Sequence, residues 1–371
     1  MPWYNDLRPT EDPNKQKYSI TFPGFKNKNK VRTIDNLILL RNELKSIRNT
    51  KKTNNNVLLA SWNIKQFGFL KTRIPDSYFY ISEIISSFDI VAVQELKKGL
   101  EDLKIIMKLL GSNWKYIIND ITEGNAGNDE RFAYIYDTRR INFTGLAGEI
   151  VLWKDILDEN ENFQIKRTPY ITGFRAGWKS FAIVNLHLQP DNNTKGKKIR
   201  KREVELLTQA INSKIKSNNL WSDNIVLIGD FNLYEDNTDI VKILNDSHFF
   251  ESDLTEGLNT NTAITSSEPF DRILFRKNPF FEIPTKAKNN VGGVLEIFDI
   301  LYKLDDYKLY KEEMLTHKVD NSTLTSEEKF KKYYRDYWRK NQLSDHKPIW
   351  IEINIDSTDS FLALKRKKLI Q

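Results

Sequence analysis

The chain has 371 residues, 39% hydrophobic and 29% charged with a net charge of +7, which bounds it to a globular protein of one large or two ordinary domains. It contains no cysteine, which excludes disulfides, thiolate metal sites and cysteine nucleophiles, so any metal must be held by carboxylate, amide or imidazole. The apolar runs fall far short of a membrane span and the first residues lack the basic and apolar regions of a secretory signal, so no membrane contact and a cytoplasmic location are expected.

Residues 1–30 show no clear hydrophobic period and read as a wrapping arm. Thr33 predicts the N-cap of a helix with Ile34, Leu37, Leu40, Leu44 and Ile47 on one face, and NTKKTNNN at 49–56 predicts a polar linker. From Val57 onward, short apolar runs alternate with loops and amphipathic helices. The predicted strands are 57–62, 90–94, 114–118, 132–136, 181–187, 225–228, 272–275 and 349–355. Leu100, Leu103, Met107 and Leu110 mark one helix, and Val204, Leu207, Ile211 and Ile215 mark another. Several strands are apolar on both parities, as in strands covered on both faces, so the expected class is an α/β sandwich. Residues 277–342 are charged and aromatic, end in YYRDYWRK at 333–340, and read as an insertion before the last strand, with Gly292–Gly293 as a turn. The expected division is therefore 1–56 (arm, helix and linker), 57–356 (main domain with the insertion) and 357–371 (basic tail).

The strand boundaries carry one kind of residue. Asn63 follows VLLASW, Glu95 follows IVAVQ, His187 follows FAIVNL, and Asp230-Phe231-Asn232 follows IVLIG. Asp271 precedes RILF, and Asp345-His346 precedes PIWIEI. Any one of these is explained by capping or turn formation. A sheet gathers its strand ends on one rim, however, so residues distant in sequence are expected to converge in one cleft. Glu95, Asp230 and Asp345 with the amides of Asn63 and Asn232 form an all-oxygen set suited to a hard ion such as magnesium or manganese. His187 and His346 are suited to donating protons or hydrogen bonds to phosphate oxygens, and Asp271 to fixing a histidine tautomer. With no serine or cysteine nucleophile evident, the inventory fits metal-assisted phosphoester hydrolysis by water.

In chain order, SWNIKQFG (61–68), VAVQE (91–95), DERFAYIY (129–136), VNLHL (184–188), IGDFN (228–232), FDRILF (270–275) and SDHKPI (344–349) resemble one family's motifs. That family is the endonuclease/exonuclease/phosphatase superfamily, the group of deoxyribonuclease I, exonuclease-III-like repair enzymes, inositol 5-phosphatases and sphingomyelinases. The resemblance implies a four-layered sandwich of two packed, mostly antiparallel sheets flanked by helices. It implies Glu95 as principal magnesium ligand, Asn63 beside it, and Asp345 helping to hold the metal. Asp230 would position or deprotonate the attacking water, and Asn232 would bind the phosphate. His346, oriented by Asp271, would act on the scissile phosphate, and His187 would hydrogen-bond the phosphate or leaving group. Arg131 resembles the arginine that some nuclease members direct at a backbone phosphate. The histidine at 187 and FDR in place of an LDY-like string point away from the repair apurinic endonucleases and toward the deoxyribonuclease I side. GDFNLY differs from the GDLNYR usual in inositol 5-phosphatases.

Two further segments carry alternatives. NNTKGKKIRKRE at 192–203, with Lys197, Lys198 and Arg200, is either a solvated loop and first helical turn or a track for a nucleic-acid backbone. Tyr333, Tyr334, Tyr337 and Trp338 are either packing residues or a platform for bases, and His248 and His317 lie outside every motif. The expected activity is magnesium-dependent hydrolysis of nucleic acid, with DNA as the expected partner and residues 1–50 or 277–342 as candidate surfaces for a protein partner. The alternatives are a phosphatase acting on an inositol lipid or small phosphoester, and a binding module without catalysis.

Overall fold

The computed structural model describes residues 2–12, 20–51, 55–121, 129–159, 164–217, 222–276, 278, 281–317 and 323–370. Its strands are β1 (Asn56–Phe67), β2 (Ile90–Leu96), β3 (Trp114–Ile118), β4 (Arg131–Asp137), β5 (Asn142–Glu149), β6 (Tyr170–Ala176), β7 (Lys179–His187), β8 (Ile225–Asp230), β9 (Phe249–Glu251), β10 (Asp271–Arg276), β11 (Gly292–Val294) and β12 (Ile349–Asn354). They form two six-stranded sheets, ordered β11-β12-β1-β2-β4-β3 and β5-β6-β7-β8-β10-β9. In each sheet one central pair is parallel, β1 with β2 and β7 with β8, and the neighbouring pairs are antiparallel.

Alternating side chains distribute the core into layers. On β1, Val57 and Leu59 join a cluster with Ile183, Ile228 and Ile351 between the two sheets. Leu58, Ala60 and Trp62 face the opposite way, into a cluster with the helices α1 (Asn27–Asn49), α2 (Pro75–Ile85) and α3 (Glu101–Leu110). A short helix α4 (Lys154–Glu159), then α5 (Thr194–Lys216) and α6 (Thr238–Asp246), cover the outer face of the second sheet. The result is the four-layered sandwich that the resemblance implied. Among the described residues no helix is long and apolar enough to cross a membrane.

All eight predicted strands are present, and four others were not predicted. β5 reads NFTGLAGE and is mostly exposed, and β9 has only three residues, so neither carries an apolar signal of useful length. The Gly292–Gly293 turn is corrected: these residues open β11, whose backbone pairs with β12 and needs no side chains to do so. β6 was passed over although it is buried. The helix predicted from Thr33 begins earlier, at Asn27, and Thr33 lies inside it with its hydroxyl donating to the Asn29 carbonyl at 2.8 Å. Ile34 turns to the exposed side. α2 (PDSYFYISEII) is buried on every face, so it has no amphipathic period to read. The tail is a helix, Thr358–Ile370, with no buried residue. Residues 13–19, 52–54 of the polar linker, and the side chain of His317 lie outside the described residues.

Two buried carboxylates of α2 bind α1 to the sandwich: Asp76 pairs with Arg32, and Glu83 pairs with Arg41 and Arg48. The segment after β10 joins the same side. Tyr302, Tyr310, Tyr334 and Trp338 are buried in the cluster that contains Leu40 and Leu44 of α1. Leu44 is fully buried, and Leu44→Ala should lower unfolding stability by about 2–5 kcal/mol in urea titration, with a single transition. A separate early transition would show that α1 unfolds independently of the sheets.

Candidate active site

Parallel central pairs flanked by antiparallel neighbours put the C-terminal ends of β1, β2, β7 and β8 on the same rim as the N-terminal ends of β4, β10 and β12. Asn63, Glu95, His187, Asp230, Asp271 and His346 all sit at that rim. β1 does not end at Trp62 as predicted; it continues to Phe67 past an irregular register between Asn63 and Phe67. A matching break against β4 falls between Val93 and Leu96. Such bulges re-aim side chains, and Glu95 adopts φ 60 within one of them. Gly229, at φ 133, lets β8 close on β7: a Cβ there would lie 2.2 Å from the Leu186 carbonyl oxygen.

Asp230 is the hub, 1% exposed. Its Oδ1 accepts from the Asn232 backbone N–H at 3.0 Å. Its Oδ2 accepts from Asn63 Nδ2 at 3.0 Å and lies 3.5 Å from His187 Nε2 and 3.6 Å from His346 Nε2. Each imidazole has a carboxylate behind it: His346 Nδ1 is 2.7 Å from Asp271 Oδ2, and His187 Nδ1 is 2.9 Å from Glu130 Oε2. Asn63 Nδ2 also donates to Glu95 Oε1 at 3.0 Å, and Glu95 Oε2 accepts from the Gln66 N–H at 2.9 Å. Burial alone would push the His346 pKa down, but Asp271, Asp230 and Asp345 outweigh it and hold it well above the usual imidazole value. Burial raises Glu130, yet His187, Arg167 and Lys97 together hold it well below the usual carboxylate range.

No protein-family model matches the chain. Its sequence is 23% identical over 278 residues to human deoxyribonuclease gamma, covering 69% of this chain and 81% of that one. It is 24% identical over 185 residues to rat deoxyribonuclease gamma, a match to 47% of this chain that spans about half the relative's length, 54%. A solved endonuclease/exonuclease/phosphatase from Bacteroides vulgatus shares the fold at a TM-score of 0.50 and 13% identity, covering 81% of this chain and 99% of its own. The likeness to the deoxyribonucleases, together with the shared sandwich, supports the endonuclease/exonuclease/phosphatase superfamily and its deoxyribonuclease I-like branch.

The superfamily implies a divalent cation, and the donor set fits one. Asn63 Oδ1 is buried without a hydrogen-bond partner on the residue whose Nδ2 contacts Glu95, an orphaned oxygen of the kind a hard cation satisfies. Ligand atoms of Glu95, Glu130 and His187 also lie within 4.8 Å of one another. Glu130 is already neutralised by Lys97 at 3.0 Å and Arg167 at 2.8 Å, so Glu95 with Asn63 is the better-fitting holder. Asp345, expected beside them, has its carboxylate on Lys65 Nζ at 2.9 Å.

Of the remaining expected residues, Asn232 touches the hub through its backbone N–H, and Arg131, Lys197 and Arg200 make their bonds elsewhere. Arg131 donates to the Lys98 carbonyl at 3.0 Å. Lys197 pairs with Asp236, and Lys198 is exposed on the second turn of α5. Arg200 is fully buried, with NH1 on the Gln189 carbonyl at 2.6 Å and NH2 on Asn237 Oδ1 at 3.0 Å, tying together the loops that follow His187 and Asp230. Asn232 donates Nδ2 to the Leu188 carbonyl at 3.1 Å and adopts φ 50. Three contributors had no assigned role: Glu130, Lys65 and Ser344. Glu130 precedes RFAYIY as Asp271 precedes RILF, so the same rule applied to that strand would have found it. Ser344 Oγ donates to the Asn63 carbonyl at 2.6 Å and accepts from the Lys65 N–H at 3.2 Å and the His346 N–H at 3.0 Å, a latch made by the first residue of SDHKPI.

A cation at about 100 times its Kd stabilises a protein by roughly 2.7 kcal/mol, so adding magnesium or manganese should raise Tm in scanning calorimetry. Glu95→Gln should remove most of that rise. A rise retained in Glu95→Gln would move the metal away from Asn63 and Glu95.

Proposed function

We propose that the chain is a magnesium-dependent phosphodiesterase that cuts nucleic acid, DNA in the first instance, with manganese able to substitute. The observation that carries this reading is Asp230 Oδ2 beneath two Nε2 atoms, each histidine backed by its own buried carboxylate, next to the Asn63–Glu95 pair. The likeness to deoxyribonuclease gamma supports the choice of a nucleic-acid substrate.

Water attacks phosphorus, the P–O3′ bond breaks, and the products are a 3′-hydroxyl and a 5′-phosphate. Asp230 takes the proton of the attacking water, which its position among hydrogen-bond donors allows it to orient. His346, held charged by the carboxylates around it, faces the phosphate oxygens and neutralises the charge that builds there. Asp271 fixes its tautomer through Nδ1. His187 and Asn232 bind the phosphate from the other sheet, and the leaving oxygen collects its proton from one of the two Nε2 atoms. Asn63 and Glu95, with Asp345, would hold the cation, which when bound would supply Lewis-acid polarisation of a phosphoryl oxygen.

Supercoiled plasmid, single-stranded DNA, RNA and a phosphoinositide should be incubated with the protein in magnesium and in chelator. Nicking should require the metal and should fall about 10²–10⁴-fold in Asp230→Ala and in His346→Ala, with circular dichroism unchanged. Phosphate release from the lipid without nicking would replace the nuclease reading by a phosphatase one. Nicking that survives in both variants would remove this cleft from the reaction.

A further inference from the structure

The segment before SDHKPI does more than pack. Tyr334–Trp338 form a π-helical turn in which the Arg339 N–H bonds to the Tyr334 carbonyl, five residues back. Wide turns of this kind are frequent at functional sites. Tyr334 and Trp338 are buried and stacked on each other at 5.5 Å, which anchors one side of the turn. The other side, with Arg335, Arg339 and Lys340, lines a groove of about 200 Å³ whose opposite wall is Thr262–Thr265.

The groove lining is net positive, with Arg335, Arg339 and Lys340 set against Asp336. Arg335 and Asp336 neutralise each other. Arg339 is 4% exposed, its guanidinium lies 4.4 Å from the Phe298 ring centre, and its Nε reaches only the Arg335 carbonyl, at 3.4 Å. Among the described residues neither Arg339 nor Lys340 has a carboxylate within 4.0 Å. A nearly buried cation without a counter-ion is costly unless an anion completes it. Burial lowers the Lys340 pKa; Asp345 opposes this, and the nearby Lys65 and Arg339 add to it.

One wall of the groove is bonded to the backbone of the candidate site. Thr262 donates its N–H and its hydroxyl to the Asp345 carbonyl, at 3.0 and 2.9 Å, and Asn261 forms a β-bridge with His346. We propose that this groove binds a backbone phosphate flanking the scissile one, with Arg339 and Lys340 as its anion-binding residues and the Thr262–Thr265 loop as its wall. The assignment rests on the nuclease reading and deepens it: the substrate is a strand long enough to carry a second phosphate, and its register in the cleft is set by the 277–342 segment.

The test follows the anisotropy of a labelled single-stranded DNA oligonucleotide on the full-length protein in chelator, as a function of salt. Lys340→Gln should weaken binding about tenfold and reduce the salt slope by about one, and a folded Arg339→Gln should do the same. Lys365→Gln, which removes the same charge from the C-terminal helix, should stay within about twofold of wild type, as a surface charge far from a contact does. In magnesium, Lys340→Gln should raise KM for cutting more than it lowers kcat. Unchanged affinity and slope in Lys340→Gln overturn the groove, as does an equal loss in Lys365→Gln. Groove-dependent binding by a wild type that never cuts would overturn the nuclease reading and leave the groove standing. A wild type that neither binds nor cuts would end both.

Discussion

One carboxamide nitrogen holds the reacting centre together. Asn63 Nδ2 donates to Glu95 in its own sheet and to Asp230 in the other, so a single amide sets the distance between two carboxylates that would otherwise repel. One strand residue deeper the same logic recurs, with Gln94 Nε2 donating to Asn185 Oδ1 at 2.6 Å across the sheet interface. Asn185 in turn donates to the Val93 carbonyl at 3.2 Å. Polar groups in an otherwise apolar layer cost about 1–3 kcal/mol each if left unpaired, so these bonds admit one relative placement of the sheets and penalise the others.

The two histidine–carboxylate pairs obey that constraint. His346 precedes a strand of the first sheet and leans on Asp271 of the second; His187 ends a strand of the second and leans on Glu130, which immediately precedes β4 of the first. Each pair therefore bridges the sandwich, and both present Nε2 to the same oxygen of Asp230. The arrangement concentrates ionisable groups where solvent is sparse, and the backbone shares the burden: Glu95 and Asn232 both adopt positive φ at the rim.

The sequence was most legible where a polar side chain stands at the boundary of an apolar strand. Asn63, Glu95, His187, Asp230, Asp271 and His346 fell to one rule, because apolar strands make polar exceptions conspicuous. Glu130 escaped since Arg131 beside it drew the assignment. Arg200 read as a surface charge because a linear run of lysines and arginines hides which one turns inward, and here the buried one ties two loops together. α2 and β11 were invisible for opposite reasons, the first lacking any polar face and the second lacking side chains. In the aromatic segment at 333–340, Tyr334 and Trp338 follow the packing reading, and Tyr337 is exposed.

The Ser344 latch also has a temporal meaning. Its hydroxyl joins the Asn63 carbonyl to the His346 N–H across 281 residues of sequence, and β12 must slide between β11 and β1 before that bond can form. Contacts of such long range are slow to form and come late in folding. Until that bond closes, Asn63 and His346 are not tied to each other, although Glu95, His187 and Asp230 all lie on the chain between them.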